Sequence, residues 1–263
     1  RRAGDQRYKK RYNKMNSLRL AWHFGLPILA SALIGREVGP SGGAMLRRLA
    51  EAGHDIGIHG FDHLAWSDGC FEFDEAETWR QMEHAALNYR RIFPDGPWTW
   101  GAPGWRCNDH MFRYLDAEGV AFSSDTRGNR PFFPLLDGTP SPVLQLPITL
   151  PCLHELLQAG LSRTEAIDFI IDRLNGEFDM LCIHGYYEGI LERRMFGDLM
   201  AELNRCDVTI RPLSAAFENR GSFQPKAEAT ARITVPGGTV PVSCQANFVD
   251  DNYFDDLSRR ISV

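Results

Sequence analysis

His59 and His63 stand in Gly57-Ile58-His59-Gly60-Phe61-Asp62-His63-Leu64-Ala65-Trp66, directly after an apolar run at residues 54–58. If the chain turns into a helix after His59, positions i and i+4 share a face. Two imidazoles on one face can grip a metal ion and leave other positions for a carboxylate and water. HxxxH alone is a loose pattern, and solvent-facing or capping histidines produce it too. The apolar run before it, with Asp62 and Trp66 beside it, favours His59 and His63 as metal ligands. On a helix Asp62 faces away from the pair, which suits support or substrate contact better than ligation.

Three further residues have useful chemistry. Arg106 lies in Pro103-Gly104-Trp105-Arg106-Cys107-Asn108. Buried, it needs a carboxylate partner and could tune a catalytic aspartate; taken alone, it reads better as a surface arginine after a turn. Asp125, in Ser123-Ser124-Asp125-Thr126-Arg127-Gly128, fits a turn aspartate bonded to its own backbone. It fits equally a hydrogen-bond partner of His184 or of substrate. His184 follows the apolar run at 180–183 and precedes Gly185, a setting for a general acid or for a satisfied core histidine. Glu188 could orient it or touch substrate.

The elements that must position these residues alternate. Helices are expected at 40–53 (Ser41 as cap; Met45, Leu46 and Leu49 as the apolar side), 73–93, 110–117, 164–174 and 196–205. Strands are expected at 54–58, 120–123, 143–148, 180–183 and 208–210, with a short strand or loop at 98–105. Alternation of this kind suggests a parallel sheet or barrel. His59, Arg106, Asp125 and His184 all follow strand ends, where a barrel builds its site. Residues 219–229 are polar and read as a linker. Residues 231–245 read as a two-strand ribbon turning at Pro236-Gly237-Gly238, and 246–263 as an acidic tail.

At 263 residues and a formal net charge of −5, a general nucleic-acid binder is excluded. The six cysteines are scattered without a CxxC pair, as in a reducing compartment rather than a disulfide framework. Basic residues concentrate at 1–19, and residues 18–34 are apolar but too broken to span a bilayer. That pairing suits an element lying in a membrane interface, or a core-packing helix with a solvated basic neighbour. The chain begins with Arg, so processing or a fragment is expected.

In this order, these residues resemble the polysaccharide deacetylase superfamily with its NodB-homology barrel. The match is closer to the branch of deformylases acting on 4-deoxy-4-formamido-L-arabinose linked to undecaprenyl phosphate. Residues 57–66 are similar to that branch's metal-histidine motif, and Gly104-Trp105-Arg106 to its arginine motif. Ser124-Asp125-Thr126-Arg127-Gly128, Pro131-Phe132, Pro134-Leu135-Leu136 and Leu146-Pro147-Ile148-Thr149-Leu150-Pro151 follow its pattern. So do Ile183-His184 with Glu188-Gly189, and Pro212-Leu213-Ser214. The likeness runs over residues 4–245.

The resemblance implies a distorted (β/α) barrel over 1–218, with a membrane-facing segment at 1–35, then a linker and β-ribbon at 219–245. The superfamily opens with a strand bearing two aspartates, a general base and a metal ligand. No such strand occurs here, and nothing around Asp250 and Asp251 resembles it, so an N-terminally incomplete chain is expected. Implied roles are metal ligation by His59 and His63, catalysis by His184, Arg106 and Asp125, and substrate contact by Asp62, Trp66, Trp105 and Glu188. The implied cofactor is a divalent metal, with zinc, manganese, cobalt and iron all admissible. The implied reaction is metal-dependent deformylation of the undecaprenyl-phosphate-linked sugar at the inner-membrane surface of a bacterial cytoplasm. It belongs to lipid A modification and polymyxin resistance. The competing expectations are another carbohydrate N-deacetylase of the superfamily, or an inactive lipid-binding homologue.

Overall fold

The computed structural model describes residues 42–250 except 97, 186 and 235–240. The basic and apolar segment at 1–35, the Ser41 cap, the ribbon turn and most of the acidic tail lie outside the described residues. No helix among the described residues is long and apolar enough to cross a membrane.

The fold is mixed α/β. Helix α1 (Gly43–Glu51) is followed by α2 (His63–Gly69), α3 (Glu75–Arg90) and α4 (Asp109–Ala117). Short strands β1 (Phe122–Ser123), β2 (Phe132–Leu136), β3 (Thr139–Pro140) and β4 (Leu144–Gln145) come next. Helices α5 (Leu153–Gln158), α6 (Arg163–Asp172), α7 (Arg193–Arg205), α8 (Leu213–Glu218) and α9 (Arg220–Phe223) precede β5 (Lys226–Glu228), β6 (Thr230–Ile233) and β7 (Val242–Gln245).

Local chemistry explains the helices. In α3, Asp74 caps the first turn through the Glu77 N–H, and Glu75 and Glu77 sit at the positive end of the helix. Thr78, Gln81, Met82, Ala85 and Ala86 then form a buried stripe at helical spacing. Ser162 and Glu165 close a reciprocal capping box on α6. In α1 the expected apolar side is not covered: Met45 and Leu49 are exposed among the described residues.

The sheet carries the parallel wall that the alternation implied, but in fragments. Ile58 bridges Trp100, Trp100 bridges Ser123, and β1 runs parallel to β4. β4 then pairs antiparallel with β2, and β2 parallel with β5. Among the described residues no closed barrel forms. The runs at 180–183 and 208–210, expected as strands, are extended chain outside the sheets. Of the first, Met180 lends its carbonyl to the N–H groups of Thr149 and Leu150, and nothing ladders beyond it. Residues 219–229, expected as a linker, contain α9 and β5; the latter adds to the sheet edge.

The expected ribbon is present, β6 against β7 in antiparallel register from Thr230↔Gln245 to Ile233↔Val242. β7 is buried along its length. The Arg127 N–H donates to the Ser243 carbonyl, and the Gln245 N–H to the Arg127 carbonyl. Gly128 permits this approach, because a Cβ there would stand 2.8 Å from Gln245 Oε1 and 2.9 Å from Pro147.

Three apolar clusters form among the described residues, the smallest around Leu144, Leu146 and Phe178. Of the larger two, one gathers Trp66, Met82, Trp100, Met111, Phe112 and Leu115, under α2 to α4. The other gathers Leu153, Leu156, Phe169, Ile170, Leu199 and Phe248, under α5 to α7.

Candidate active site

The two histidines of the opening motif meet. After Ile58 the chain turns at Gly60, whose φ of +80° favours glycine and whose Cβ, if present, would lie 2.7 Å from Pro103. Asp62 then caps α2, accepting from the Ala65 N–H at 3.1 Å. The ring centroids of His59 and His63 are 5.1 Å apart, edge to face. His59 Nδ1 donates to the Gly101 carbonyl at 2.7 Å, which leaves Nε2 as the nitrogen with a free lone pair. His63 Nδ1 lies 3.4 Å from Ser67 Oγ. Surrounding protein pulls His59 below the ordinary imidazole value; the Gly101 bond opposes this and the charge of His184 adds to it. His63 is lowered by the same crowding, then by the charges of His59 and His184. Neutral imidazole is the form that ligates metal.

His184 thus belongs to the same end of the molecule as the pair. Its ring stands 4.9 Å from that of His154 and 6.5 Å from that of Trp105. Trp105 is held in left-handed backbone, φ +50°, with the Arg127 guanidinium 5.1 Å from its ring centroid. Glu188 is the carboxylate beside His184. It lies in a π-turn, Tyr187–Leu191, a feature frequent at functional sites. Its Oε2 accepts the His184 N–H at 2.5 Å and sits 4.0 Å from His184 Nδ1. Glu188 is 1% exposed, and its Oε1 has no hydrogen-bond partner among the described residues.

Three expected site residues stand behind this face. Asp125 is fully buried and accepts from the Ala102 N–H at 2.8 Å and from Gln145 Nε2 at 2.9 Å. Burial pushes its carboxyl up to about 7, against the pull of bonds from Ser123, Gln145 and Ala102. None of its hydrogen bonds reaches His184, whose backbone N–H is bonded by Glu188 instead. Trp66, expected against substrate, is 1% exposed and donates its indole N–H to the Arg106 carbonyl at 2.8 Å. A side chain buried in the core cannot touch substrate, and Trp66 is a packing residue. Arg106 is buried, donates to the carbonyls of Ser67 and Pro241, and lies over Phe71. It ties α2 to the segment leading into β7.

His154, Cys152 and Cys182 were not singled out in the sequence. Cys152 precedes α5, and its backbone N–H is held by Glu155 Oε2 at 2.8 Å. Its thiol and that of Cys182 influence each other's ionisation. Glu155 also receives Arg127 Nη1 at 3.0 and 3.1 Å, an ion pair closed off from solvent. The only advance signal was the C-x-H spacing at Cys152-Leu153-His154, too short a pattern to stand alone.

For a divalent metal, His59 and His63 offer the right donors: one nitrogen of His59 is anchored and the other free. Among the described residues no third donor joins them. The three-donor cluster found there is instead Cys152, His154 and His184, whose ligand atoms all lie within 4.8 Å of one another. A separate hollow of about 340 Å³, lined by Phe71, Asn108, His110, Arg232 and Ser243 among others, contains none of the row formed by His59, His63, His184 and His154.

No protein-family model matches the chain. It is 27% identical over 183 residues to a probable 4-deoxy-4-formamido-L-arabinose-phosphoundecaprenol deformylase, ArnD, of Wigglesworthia glossinidia brevipalpis. That match covers 67% of this chain and 63% of the relative, so the chain spans under two thirds of that protein's length. A probable ArnD of Shewanella sediminis is 24% identical over 241 residues, 90% of this chain and 77% of the relative. A crystal structure of a putative polysaccharide deacetylase from Mycobacterium smegmatis superposes with a TM-score of 0.56 at 20% identity, over 75% of this chain and 74% of that one. By sequence the chain is similar to proteins named as probable ArnD deformylases, and its fold is similar to that of a polysaccharide deacetylase.

Proposed function

We propose that this chain is a metal-dependent carbon–nitrogen hydrolase. Its substrate would be 4-deoxy-4-formamido-L-arabinose linked to undecaprenyl phosphate, from which it removes the formyl group. The observation that carries the reading is the exposed edge-to-face pair of His59 and His63, with His184 near enough for its charge to bear on both. His59 and His63 would hold the metal; a bound divalent ion supplies a polarised carbonyl and an acidified water. His184, half exposed, would give its proton to the sugar nitrogen as the C–N bond breaks, because an amide nitrogen leaves poorly until protonated. Glu188 accepts the His184 backbone N–H and lies 4.0 Å from Nδ1 of its ring. Trp105 closes one side of the space in front of His184. Arg106 and Asp125 hold the loops that carry this face: Arg106 through Ser67 and Pro241, Asp125 through Ala102.

The lipid part of the substrate has matching surface. Phe61 and Leu64 beside the histidine pair, and Ile183, Ile190 and Leu191 around His184, are exposed apolar side chains among the described residues. With the basic residues at 7–14 and the apolar segment at 18–34, they would bring the chain to the inner-membrane surface from the cytoplasm. The products, formate and an aminosugar lipid, would serve lipid A modification and polymyxin resistance. The test is product identity. Purified chain supplied with metal should release formate from the formylated lipid-linked sugar. Acetate release from N-acetylated sugars, with no formate from the lipid substrate, would point to the superfamily's other carbohydrate deacetylases.

A further inference from the structure

Cys152 and His154, at the start of α5, take no part in the chemistry above. Cys152 is fully buried. Two residues on, His154 is half buried, its Nδ1 shut away from solvent without a hydrogen-bond partner among the described residues. A ring nitrogen left so is costly unless something else satisfies it. His184 completes the group from across the site, its ring 4.9 Å from that of His154. One sulfur and two imidazole nitrogens, all within 4.8 Å of one another, form a donor set of the kind that closes on a thiophilic ion.

We propose that Cys152, His154 and His184 form a second metal site, distinct from the His59–His63 pair, for zinc or a similarly thiophilic divalent cation. Three protein donors leave the fourth tetrahedral position for water or another ligand. On binding, Cys152 releases its proton to solvent, since a coordinated thiol is deprotonated outright. Arg127, whose charge favours the thiolate of both Cys152 and Cys182, sits where it can stabilise the anion. Because ligation releases the Cys152 proton, binding strengthens as pH rises. His184 is shared between the two chemistries. As a ligand it is a neutral imidazole with one nitrogen occupied and no proton to give from it, so an ion here removes the acid from the reaction. That consequence rests on the reading of His184 given above; the site does not.

Cobalt(II) added to the metal-free chain separates the two. A thiolate–cobalt charge-transfer band in the near ultraviolet should grow to saturation and bleach on adding zinc. Cys152→Ser should abolish the band, and His154→Gln should weaken cobalt binding at least about tenfold. The double variant His59→Ala/His63→Ala should keep it. His154 is only half buried, so His154→Gln carries the test if Cys152→Ser does not fold. No band in the unaltered chain would overturn the proposal. So would a band unchanged in Cys152→Ser and His154→Gln, or one lost with His59 and His63. No substrate is present, so this result and the formate assay fail independently.

Discussion

The open row of imidazoles and the dry polar layer beneath it use similar residues to opposite ends. His59, His63 and His184 are exposed, with ring nitrogens available to an ion or a proton. Below them Arg127 and Glu155 face each other at 0% and 5% side-chain exposure, and Asp125 is locked between Ala102 and Gln145. The same charges at the surface would be worth little; buried, each depends on its partner. Exposure, not residue type, therefore separates the groups free to react from those that hold the frame, and Asp125 falls on the framing side.

The largest effect that would sharpen this contrast is on the upper layer. His184→Ala should slow formate release about 10²–10⁴-fold while far-ultraviolet circular dichroism and melting stay close to the unaltered chain. A large loss of stability would place His184 in the frame instead. Next, Glu155→Ala should leave Arg127 buried without this carboxylate and cost about 3–5 kcal/mol in denaturant unfolding. A loss under ~1 kcal/mol, the range of exposed pairs, would break the comparison.

Asp125 gives a pH signature. Its carboxyl, near 3.8 in the ordinary case, is raised to about 7 in the fold. The folded state therefore holds the proton more tightly than the unfolded chain. Stability should fall as pH rises from about 4 to about 7, by an amount on the order of a few kcal/mol, then level off. Asp125→Asn should flatten that slope; an unchanged slope would assign it to other groups. The smallest effect is at Asp62, where Asp62→Ala removes the α2 cap and should cost about 1 kcal/mol. A much larger loss of activity than of stability would return Asp62 to the substrate.

What the sequence revealed follows interaction range. His59 and His63 were legible because they lie within five residues, but the helix expected to set both on one face begins only at His63, so the rings meet across the turn at Gly60. The α3 helix was legible for the same reason: cap, stripe and end lie within one segment. Trp66 misled because a tryptophan beside histidines suits a binding face or a core equally, and only the packing against Trp100, at 5.4 Å, decides. The run at 180–183 misled because its apolar residues looked like a strand, yet Met180 contributes a carbonyl to residues 149–150 and no ladder follows. His154 was invisible because its meeting with His184 spans thirty residues of sequence and depends on how α5 and the π-turn pack.

Formate release from the lipid-linked formamido sugar tests the central claim most directly, when measured with and without a chelator and in the His59→Ala/His63→Ala variant. The account predicts formate from the metal-supplied chain, loss of it on chelation, recovery on adding a divalent ion back, and no recovery in the variant. Release that persists after chelation, or that the variant sustains at the original rate, would contradict a hydrolytic site built on these two imidazoles.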